Sequence, residues 1–309
     1  MRVLFWGTPE FALPALRALG EEGHHLAGVV TQPDRPAGRG RSLAMSAVKR
    51  MATEEMIPVL QPERARGEEF MAQVRGLDPE ISVVVAYGQI LRPEVLALPP
   101  HGSINIHGSL LPELRGAAPV QWSIIRGFDA TGVTIMQMEA GLDSGPILFQ
   151  VEEPIRADEV GRDLMMRLSE LGAEALIEAL ALLEAGEIQP VPQDHERVTY
   201  APKLDRETAR LDWGLSALEL SRWVRGLDSI PGAWSELNGE LTVKLFQPRV
   251  EIREGEPGMV LEVDPEVGVL IASGEQALRV REVQPAGKRR MSAGEWIRGR
   301  GVSEGDRFL

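Results

Sequence analysis

The chain has 309 residues, of which 43% are hydrophobic and 26% charged, and its formal net charge is −13. This is the composition of an ordinary globular protein with one large or two smaller domains, and no apolar run reaches the roughly 18 residues of a membrane-spanning helix. The sequence has no cysteine, which excludes disulfides and thiol chemistry, and its apolar start is interrupted too early for a secretory signal, so we expect a cytoplasmic protein with no membrane partner.

The N-terminal two thirds of the sequence alternates strand and helix patterns. Ile81–Ala86 is β-branched and uninterrupted, which is typical of a central strand in a parallel sheet. The strongest helix pattern covers Glu159–Ala185, with a continuous apolar stripe. The alternation predicts an α/β fold with a doubly wound, mostly parallel, Rossmann-like sheet. The other predicted strands are Val3–Trp6, Leu26–Thr31, Ser103–His107, Gly132–Met138 and Pro146–Gln150, and the other predicted helices are Phe11–Leu19, 42–56, 64–76 and 117–126.

The pattern changes after Gly186. Residues 187–208 are rich in proline, polar and charged residues, which indicates a linker. Beyond it the sequence predicts a small all-β barrel or sandwich. Its predicted elements are a helix at Ala217–Arg225 and strands at Leu241–Phe246, Met259–Val263, Val267–Ala272 and Ala277–Val283. We expect a catalytic domain over 1–188, a linker over 189–208 and a C-terminal domain over 209–309.

Two basic stretches interrupt the acidic chain. Residues 31–50 carry five basic residues against Asp34, and residues 284–300 carry five against Glu295. Each stretch alone is typical of a solvated loop. Because phosphate contacts need local lysine and arginine, the pair also fits a polyanionic partner, although the overall charge argues against broad affinity for nucleic acid.

Several common catalytic motifs are missing. The first predicted strand ends in Gly7-Thr8-Pro9-Glu10, with no G-x-G-x-x-G pattern, and the chain has neither a P-loop nor a G-x-S-x-G elbow. The sequence therefore lacks the usual motifs of dinucleotide redox enzymes, P-loop phosphoryl transferases and serine hydrolases. The five histidines show no spacing typical of metal ligands, so we expect no metal.

The segment 103–122 has the strongest chemical pattern. Side chains alternate between the two faces of a strand, so Asn105 and His107 share one face while Ile104 and Ile106 share the other. Open α/β sheets bind ligands at the carboxyl ends of their parallel strands, which is where this amide and imidazole fall. The alternative to a catalytic role is that Asn105 only hydrogen-bonds to a loop backbone and that His107 is a buried core histidine.

A carboxylate lies in a later loop, Gly141–Gly145. If Asp143 of this loop meets His107, it can orient the ring and favour its charged form. The three side chains suit acyl transfer to an amine, because Asn105 and a protonated His107 can stabilise the oxyanion that forms. Asp143 can assist proton removal through a water, although glycine-flanked aspartates are also common in simple turns.

The residues Asn-Ile-His-Gly-Ser-Leu-Leu-Pro at 105–112, followed by Arg-Gly-Ala-Ala-Pro at 115–119, resemble the signature of the folate-dependent formyltransferases. Gly141–Gly145 resembles the second catalytic segment of that family. The similarity continues in order through Gly7–Phe11, Thr31–Gly40, Val85–Gly88, Thr199–Ala201 and Gln284–Lys288. It is strongest with the members that act on methionine-charged tRNA, and their C-terminal domain is an OB-like barrel that lies along the tRNA.

The resemblance implies transfer of a formyl group from 10-formyltetrahydrofolate, a co-substrate, to methionine on charged initiator tRNA by a monomeric enzyme. It places Asn105, His107 and Asp143 at catalytic positions. The residues implied to bind the folate are Ser109, Leu110, Leu111, Pro112, Tyr87, Gly88, Gln89, Ile90 and Leu91. Those implied to bind the acceptor arm of the tRNA are Arg35, Arg39, Arg41, Lys288, Arg289 and Arg290.

Other functions stay open at this point. A formyltransferase that acts on an amino-sugar nucleotide or on glycinamide ribonucleotide would use the same chemistry. The Pro36–Arg41 loop and the C-terminal domain argue against the glycinamide type, which resembles the N-terminal domain alone, and less strongly against the amino-sugar type. A folate- or RNA-binding protein without catalysis would not need the intact set of Asn105, His107 and Asp143.

Overall fold

The structure is a computed structural model that describes residues 1–37 and 42–309. The chain divides into two compact units. The first comprises Met1–Pro119, Ala130–Pro154 and Met165–Ala201, and the second comprises Val120–Asp129, Ile155–Leu164 and Pro202–Leu309. Within the described ranges, every helix is too short or too polar to cross a membrane.

The helices and strands have the following bounds. The helices are α1 (Leu13–Glu21), α2 (Ala47–Glu54), α3 (Glu68–Gly76), α4 (Pro93–Leu96), α5 (Pro119–Ile125), α6 (Gly161–Ala185), α7 (Ala217–Gly226) and α8 (Ala293–Arg298). The strands of the first unit are β1 (Arg2–Gly7), β2 (His25–Val30), β3 (Arg35–Ala37), β4 (Ser42–Ala44), β5 (Val59–Leu60), β6 (Ile81–Val85), β7 (Ser103–His107), β8 (Arg115–Gly116), β9 (Ala130–Gln137), β10 (Ile147–Pro154) and β11 (Tyr200–Ala201). Those of the second unit are β12 (Trp234–Leu237), β13 (Leu241–Glu251), β14 (Val260–Asp264), β15 (Gly268–Ala272), β16 (Ala277–Pro285) and β17 (Met291–Ser292).

The first unit is built on a seven-stranded sheet in the order β10-β9-β7-β6-β1-β2-β5. The five strands from β5 to β7 in that order are parallel, and β9 is antiparallel to both β7 and β10. The chain runs from β1 outward to β2 and β5, then returns to β6 and β7 on the other side of β1. The predicted doubly wound, mostly parallel sheet is confirmed, and its topological switch point lies between β1 and β6.

Both faces of this sheet are closely packed. On one face the Trp6 ring meets Phe70 and Tyr87 edge to face, with centroids 5.9 and 5.3 Å apart, and its Nε1 donates to Ser82 Oγ at 3.0 Å. At Gly172 in α6, an added Cβ would lie only 2.9 Å from Ile106 Cγ2, so glycine permits a close helix–sheet approach. The strands are thereby fixed firmly enough to hold a site at their ends.

The helix predicted over 42–56 is shorter in the structure, because Ser42–Ala44 forms β4 and pairs with β3. Helix α2 begins only at Ala47, where Ser46 Oγ accepts a hydrogen bond from the Lys49 backbone N–H at 3.0 Å. Lys49 Nζ in turn donates to Asp34 Oδ2 at 2.6 Å. This bond ties the segment before β3 to the helix after β4.

The second unit contains an antiparallel sheet in the order β12-β13-β16-β15-β14, with β17 paired to β16. The prediction of a small β domain is confirmed. The pattern missed β12, β17 and α8, because each is too short to show a clear period. Helices α7 and α8 both begin with a capping box, Ser216 with Glu219 and Ser292 with Glu295.

A buried arginine connects four strands of the second unit. Arg279 of β16 is 4% exposed, and its guanidinium donates to Glu251 of β13, to Glu262 of β14 and to the Gly268 carbonyl oxygen at the start of β15. Hydrogen bonds from Arg279 lower the pKa of the Glu251 carboxyl, and hydrogen bonding to Glu251 raises the pKa of Arg279. The folded state therefore favours the charged form of this pair.

We expect Arg279→Ala to destabilise the chain by about 2 kcal/mol, because it leaves two partly buried carboxylates without their cation. The folded-state pKa of Glu251 is lowered, so this contribution is full above the unfolded pKa of glutamate and lost as the pH falls through the folded value. Urea unfolding at neutral and acidic pH measures both effects. Arg281→Ala, an exposed arginine on the same strand, is the control. An equal loss for Arg279→Ala at both pH values would contradict the assignment.

Candidate active site

The candidate site lies where the parallel strands of the first unit end. Because carboxyl ends of parallel strands meet at one edge, the segments after β1, β6 and β7 come together next to the switch point. The contact is direct for two of these segments, since Thr8 Oγ1 donates to the Tyr87 carbonyl oxygen at 2.9 Å. Asn105 and His107 occupy the end of β7.

Asn105 and His107 lie on the same side of β7 and are 9% and 5% exposed. Their neighbours across the ladder are Met136 and Thr134 of β9. No residue that the structure describes makes a hydrogen bond to the Asn105 side chain. The Asn105 amide atoms are not among the fully buried side-chain atoms that lack a partner, so the carboxamide offers accessible donors and an acceptor.

Two contacts define the state of the His107 ring. Nε2 lies 3.0 Å from the carbonyl oxygen of Leu114, and a carbonyl can only accept, so Nε2 carries a proton. Nδ1 faces Asp143, 3.8 Å from Oδ2. That separation is too long for a hydrogen bond but suits an ion pair when the ring is charged. Nδ1 is therefore the ring nitrogen that faces the carboxylate.

Asp143 is held in a left-handed backbone conformation, with φ of 47°. Its Oδ2 accepts a hydrogen bond from the Gly116 backbone N–H at 2.8 Å. Its side chain is 18% exposed, so the carboxylate keeps contact with solvent. The structure thus brings together the three side chains that the sequence marked as catalytic candidates: Asn105, His107 and Asp143.

Sequence reasoning missed two buried residues beside Asp143. Gln193 Nε2 donates to the carbonyl oxygens of Asp143 and Gly145 at 2.9 and 2.7 Å. Gln193 Oε1 accepts from Arg115 Nε at 3.0 Å and from its Nη2 at 2.6 Å. Both side chains are 5% exposed. Gln193 lies in the segment whose composition indicates a linker, so no local pattern marked it.

The segment Ser109–Pro112, which the resemblance assigns to folate, is anchored to β9. Thr134 Oγ1 donates to the Ser109 carbonyl oxygen at 2.6 Å and accepts from the Leu111 N–H at 3.1 Å. Gln150 Nε2 donates to Thr134 Oγ1 and to the Leu111 carbonyl oxygen. Leu111 is 3% exposed, whereas Leu110 is half-buried. The turn is therefore held in place beside the end of β7, since Thr134 is the ladder partner of His107.

The segment Tyr87–Leu91 follows β6. The ring of Tyr87 is buried in the core, and burial raises the pKa of its hydroxyl to about 12. That hydroxyl stays neutral at physiological pH and is unsuited to acid–base chemistry. Leu91 is also buried, while Gln89 is half-buried, Gly88 is exposed and Ile90 is 93% exposed. A ligand would therefore meet mainly backbone groups and Ile90 here.

A cavity of about 460 Å³ adjoins this segment. Residues between Pro93 and Ser103 line one side, and Gln137, Met138, Glu139 and Ala140 line the other. The first group follows directly on Tyr87–Leu91 and the second leads into the loop of Asp143. No motif in the sequence marked residues 137–140 as part of the site.

The six predicted RNA-binding residues fall into two groups. In the first unit, Arg35 is exposed and its Nη2 donates to Gln32 Oε1 at 3.4 Å, while Arg39 and Arg41 lie outside the described residues. In the second unit, Lys288 is exposed and Arg289 pairs with Glu295 at 2.8 Å.

Arg290 has a different environment. It pairs with Asp228 and Glu282 and its guanidinium lies 3.9 Å from the centre of the Phe246 ring. Its charge is already balanced within the second unit.

Within the described ranges, no cluster of three or more histidine, aspartate or glutamate side chains is placed to hold a metal ion. The donors that converge are instead an amide, an imidazole and a carboxylate. This set can stabilise an oxyanion and move a proton.

Comparisons with known proteins indicate a formyl transferase. A family model described as "Formyl transferase" matches residues 1–180, and one described as "Formyl transferase, C-terminal domain" matches 203–301. A solved structure, "HypX from Aquifex aeolicus in complex with Tetrahydrofolic acid", shares the fold with a TM-score of 0.68. It is 21% identical, and the match covers 100% of this chain and 50% of that one.

Two curated relatives are much more similar in sequence. "Methionyl-tRNA formyltransferase" of Geobacter sulfurreducens is 45% identical, with 100% of this chain and 96% of the relative covered. The protein of the same name from Dechloromonas aromatica is 46% identical, with 100% and 99% covered. Together the two family models match more than half of the chain. The first matches the N-terminal part and the second, a C-terminal domain model, matches the C-terminal part. The chain belongs to the formyl transferase family.

Proposed function

We propose that this chain is a methionyl-tRNA formyltransferase. It transfers the formyl group of 10-formyltetrahydrofolate to the amino group of methionine on charged initiator tRNA. The observation that supports this proposal most strongly is the convergence of Asn105, His107 and Asp143 at the carboxyl edge of the sheet. Similarity to relatives of that name over the full chain supports the choice of acceptor.

The reaction joins the methionine nitrogen to the formyl carbon and breaks the bond between that carbon and N10 of the folate. Negative charge develops on the formyl oxygen as the amine attacks. The Asn105 amide N–H donates to this oxygen, and positive charge on His107 stabilises it further. Because Nε2 of His107 is committed to Leu114, the second proton of the charged ring lies on Nδ1, beside Asp143.

Protons must also move during the transfer. The methionine ammonium loses two protons as it becomes an amide, of which N10 of the folate gains one and water takes the other. Asp143 is the base that we assign to this transfer, acting through a water, since its carboxylate is partly exposed and oriented by Gly116. No covalent enzyme intermediate is needed, so much of the rate gain comes from holding the two substrates in line.

The folate lies, in this proposal, along the segments Tyr87–Leu91 and Ser109–Pro112. Tyr87–Leu91 follows β6 at the switch point and Ser109–Pro112 follows the neighbouring strand β7, at the edge where open α/β sheets bind ligands. The fixed turn at 109–112 and the backbone groups after β6 suit a flat heterocycle with several donors and acceptors. The acceptor arm of the tRNA meets the basic residues Arg35, Arg39 and Arg41, with Lys288 and Arg289 adding phosphate contacts.

The decisive experiment is transfer of a radiolabelled formyl group from 10-formyltetrahydrofolate to three acceptors. These are Met-charged initiator tRNA, Met-charged elongator tRNA and an amino-sugar nucleotide. We expect transfer to the initiator tRNA with strong preference over both others. Transfer to the amino sugar alone would overturn the proposed acceptor while keeping the chemistry, and no transfer to any would overturn the proposal.

His107→Ala should reduce kcat by roughly 10²- to 10⁴-fold, because it removes the charge that stabilises the oxyanion. Steady-state kinetics with initiator tRNA measure kcat, and a filter-binding assay checks that tRNA affinity stays within about threefold. His25→Ala, an exposed histidine at the start of β2, is the matched control. Near-normal turnover of His107→Ala would remove His107 from the mechanism.

Arg39→Ala should weaken the preference for initiator over elongator tRNA and leave folate binding intact, because Arg39 belongs to the basic stretch assigned to the acceptor arm. The ratio of kcat/KM for the two tRNAs is the measurement. Arg17→Ala, an exposed arginine on α1, controls for loss of one positive charge. An unchanged ratio for Arg39→Ala would contradict the role of this stretch.

A further inference from the structure

Gln193 is a buried amide whose bonding groups are directed at the Asp143 loop and at Arg115. Its Nε2 has two protons, and both are directed at carbonyl oxygens of that loop, on Asp143 and Gly145. Its Oε1 receives two hydrogen bonds from Arg115. A side chain that is 5% exposed and bonded on both sides has little freedom to turn. Gln193 is also outside both matched regions, which end at 180 and resume at 203.

Arg115 completes a closed ring of contacts around Asp143. The residue after it, Gly116, donates its N–H to Asp143 Oδ2 at 2.8 Å. The Arg115 side chain donates to Gln193, and Gln193 donates to the Asp143 carbonyl oxygen at 2.9 Å. Gln193 thus holds the main chain of Asp143 and also the strand β8 that orients its carboxylate.

Asp143 needs such support from outside its own loop. Its φ of 47° is unfavourable for a residue with a side chain, and glycines at 141 and 145 give the flanking chain wide conformational freedom. A shift of about 1 Å at a reacting group can lower a rate by about 100-fold. The 3.8 Å separation of Asp143 and His107 therefore depends on what fixes the loop.

We propose that Gln193 is a positioning residue of the formyl transfer reaction, which acts by holding Asp143 in register with His107. The proposal rests on the proposed function, because it takes Asp143 to be the base. Among polar side chains of this size, only an amide both donates to the two loop carbonyls and accepts from Arg115. The segment between the two family matches thereby supplies part of the active site.

Gln193→Glu removes the hydrogen-bond donors of this amide and keeps its acceptor. A carboxylate still accepts both hydrogen bonds from Arg115, so the buried guanidinium keeps its partner and the fold is retained. It cannot donate to the Asp143 and Gly145 carbonyl oxygens, and its charge repels them. Gln189→Glu makes the same change at an exposed glutamine of the same segment and is the matched control.

The test measures kcat and KM for formyl transfer in Gln193→Glu, in Asp143→Asn and in the double variant, with thermal unfolding as a check on folding. We expect Gln193→Glu to lower kcat by roughly 10- to 100-fold with both KM values within about threefold. We also expect the substitution to have little further effect in the Asp143→Asn background, because a residue that acts through Asp143 is not additive with it.

Three outcomes would contradict these expectations in different ways. Normal turnover of Gln193→Glu beside an impaired Asp143→Asn would overturn the role of Gln193 and leave the proposed function intact. An equal loss from Gln193→Glu in both backgrounds would show a structural effect unrelated to Asp143, which also overturns the proposal. Full activity of Asp143→Asn itself would instead remove Asp143 from the proposed mechanism, and with it the task assigned to Gln193.

Discussion

The hydrogen bond from His107 Nε2 to the Leu114 carbonyl oxygen fixes the chemistry available to this site. Because a carbonyl oxygen only accepts hydrogen bonds, this contact places a proton on Nε2 and turns Nδ1 toward Asp143. Leu114 can offer its carbonyl in this direction because it adopts a left-handed conformation, with φ of 60°. Its own N–H donates to Thr199 Oγ1 at 2.9 Å, and Thr199 lies 85 residues further along the chain.

The same segment that holds Leu114 also holds Asp143. Thr199 and Gln193 lie six residues apart and each bonds to a different partner of the imidazole. Nε2 of the ring therefore contacts the Leu114 carbonyl and Nδ1 faces Asp143. Residues of the segment 193–201 hydrogen-bond to both Leu114 and Asp143. Buried polar networks are costly unless their members are hydrogen-bonded, and Thr199 and Gln193 supply such bonds here.

The sequence predicted the architecture well and the site in part. Long elements such as α6 and β7 carry clear periodicity, because many residues face the same core. Strand alternation alone predicts that Asn105 and His107 lie on the same face of β7, because they are two residues apart. Strand alternation does not predict that they lie near Asp143, because the position of a loop depends on contacts with distant parts of the chain.

Other features had no local signal at all. The sequence pattern starts α2 five residues too early, because the helix begins only after its cap Ser46 and Ser42–Ala44 pairs with β3 instead. Gln193 makes hydrogen bonds to residues 50 and 78 positions away, and nothing in its immediate neighbours distinguishes it from a surface glutamine. Such long-range hydrogen bonds are set by tertiary structure, which local propensity does not encode.

The division of the chain into units has a consequence for dissecting the molecule. Residues 120–129 and 155–164 belong to the second unit although they precede the end of the first. Ile125, for example, is 8% exposed and packs into the core of the second unit with Leu220 and Val224. A fragment ending at Ala201 would keep Asn105, His107, Asp143 and Gln193, yet it would expose these apolar side chains to water. Residues 1–201 are therefore not a separable module, and a chimera that exchanges the second unit must graft its three discontinuous stretches together.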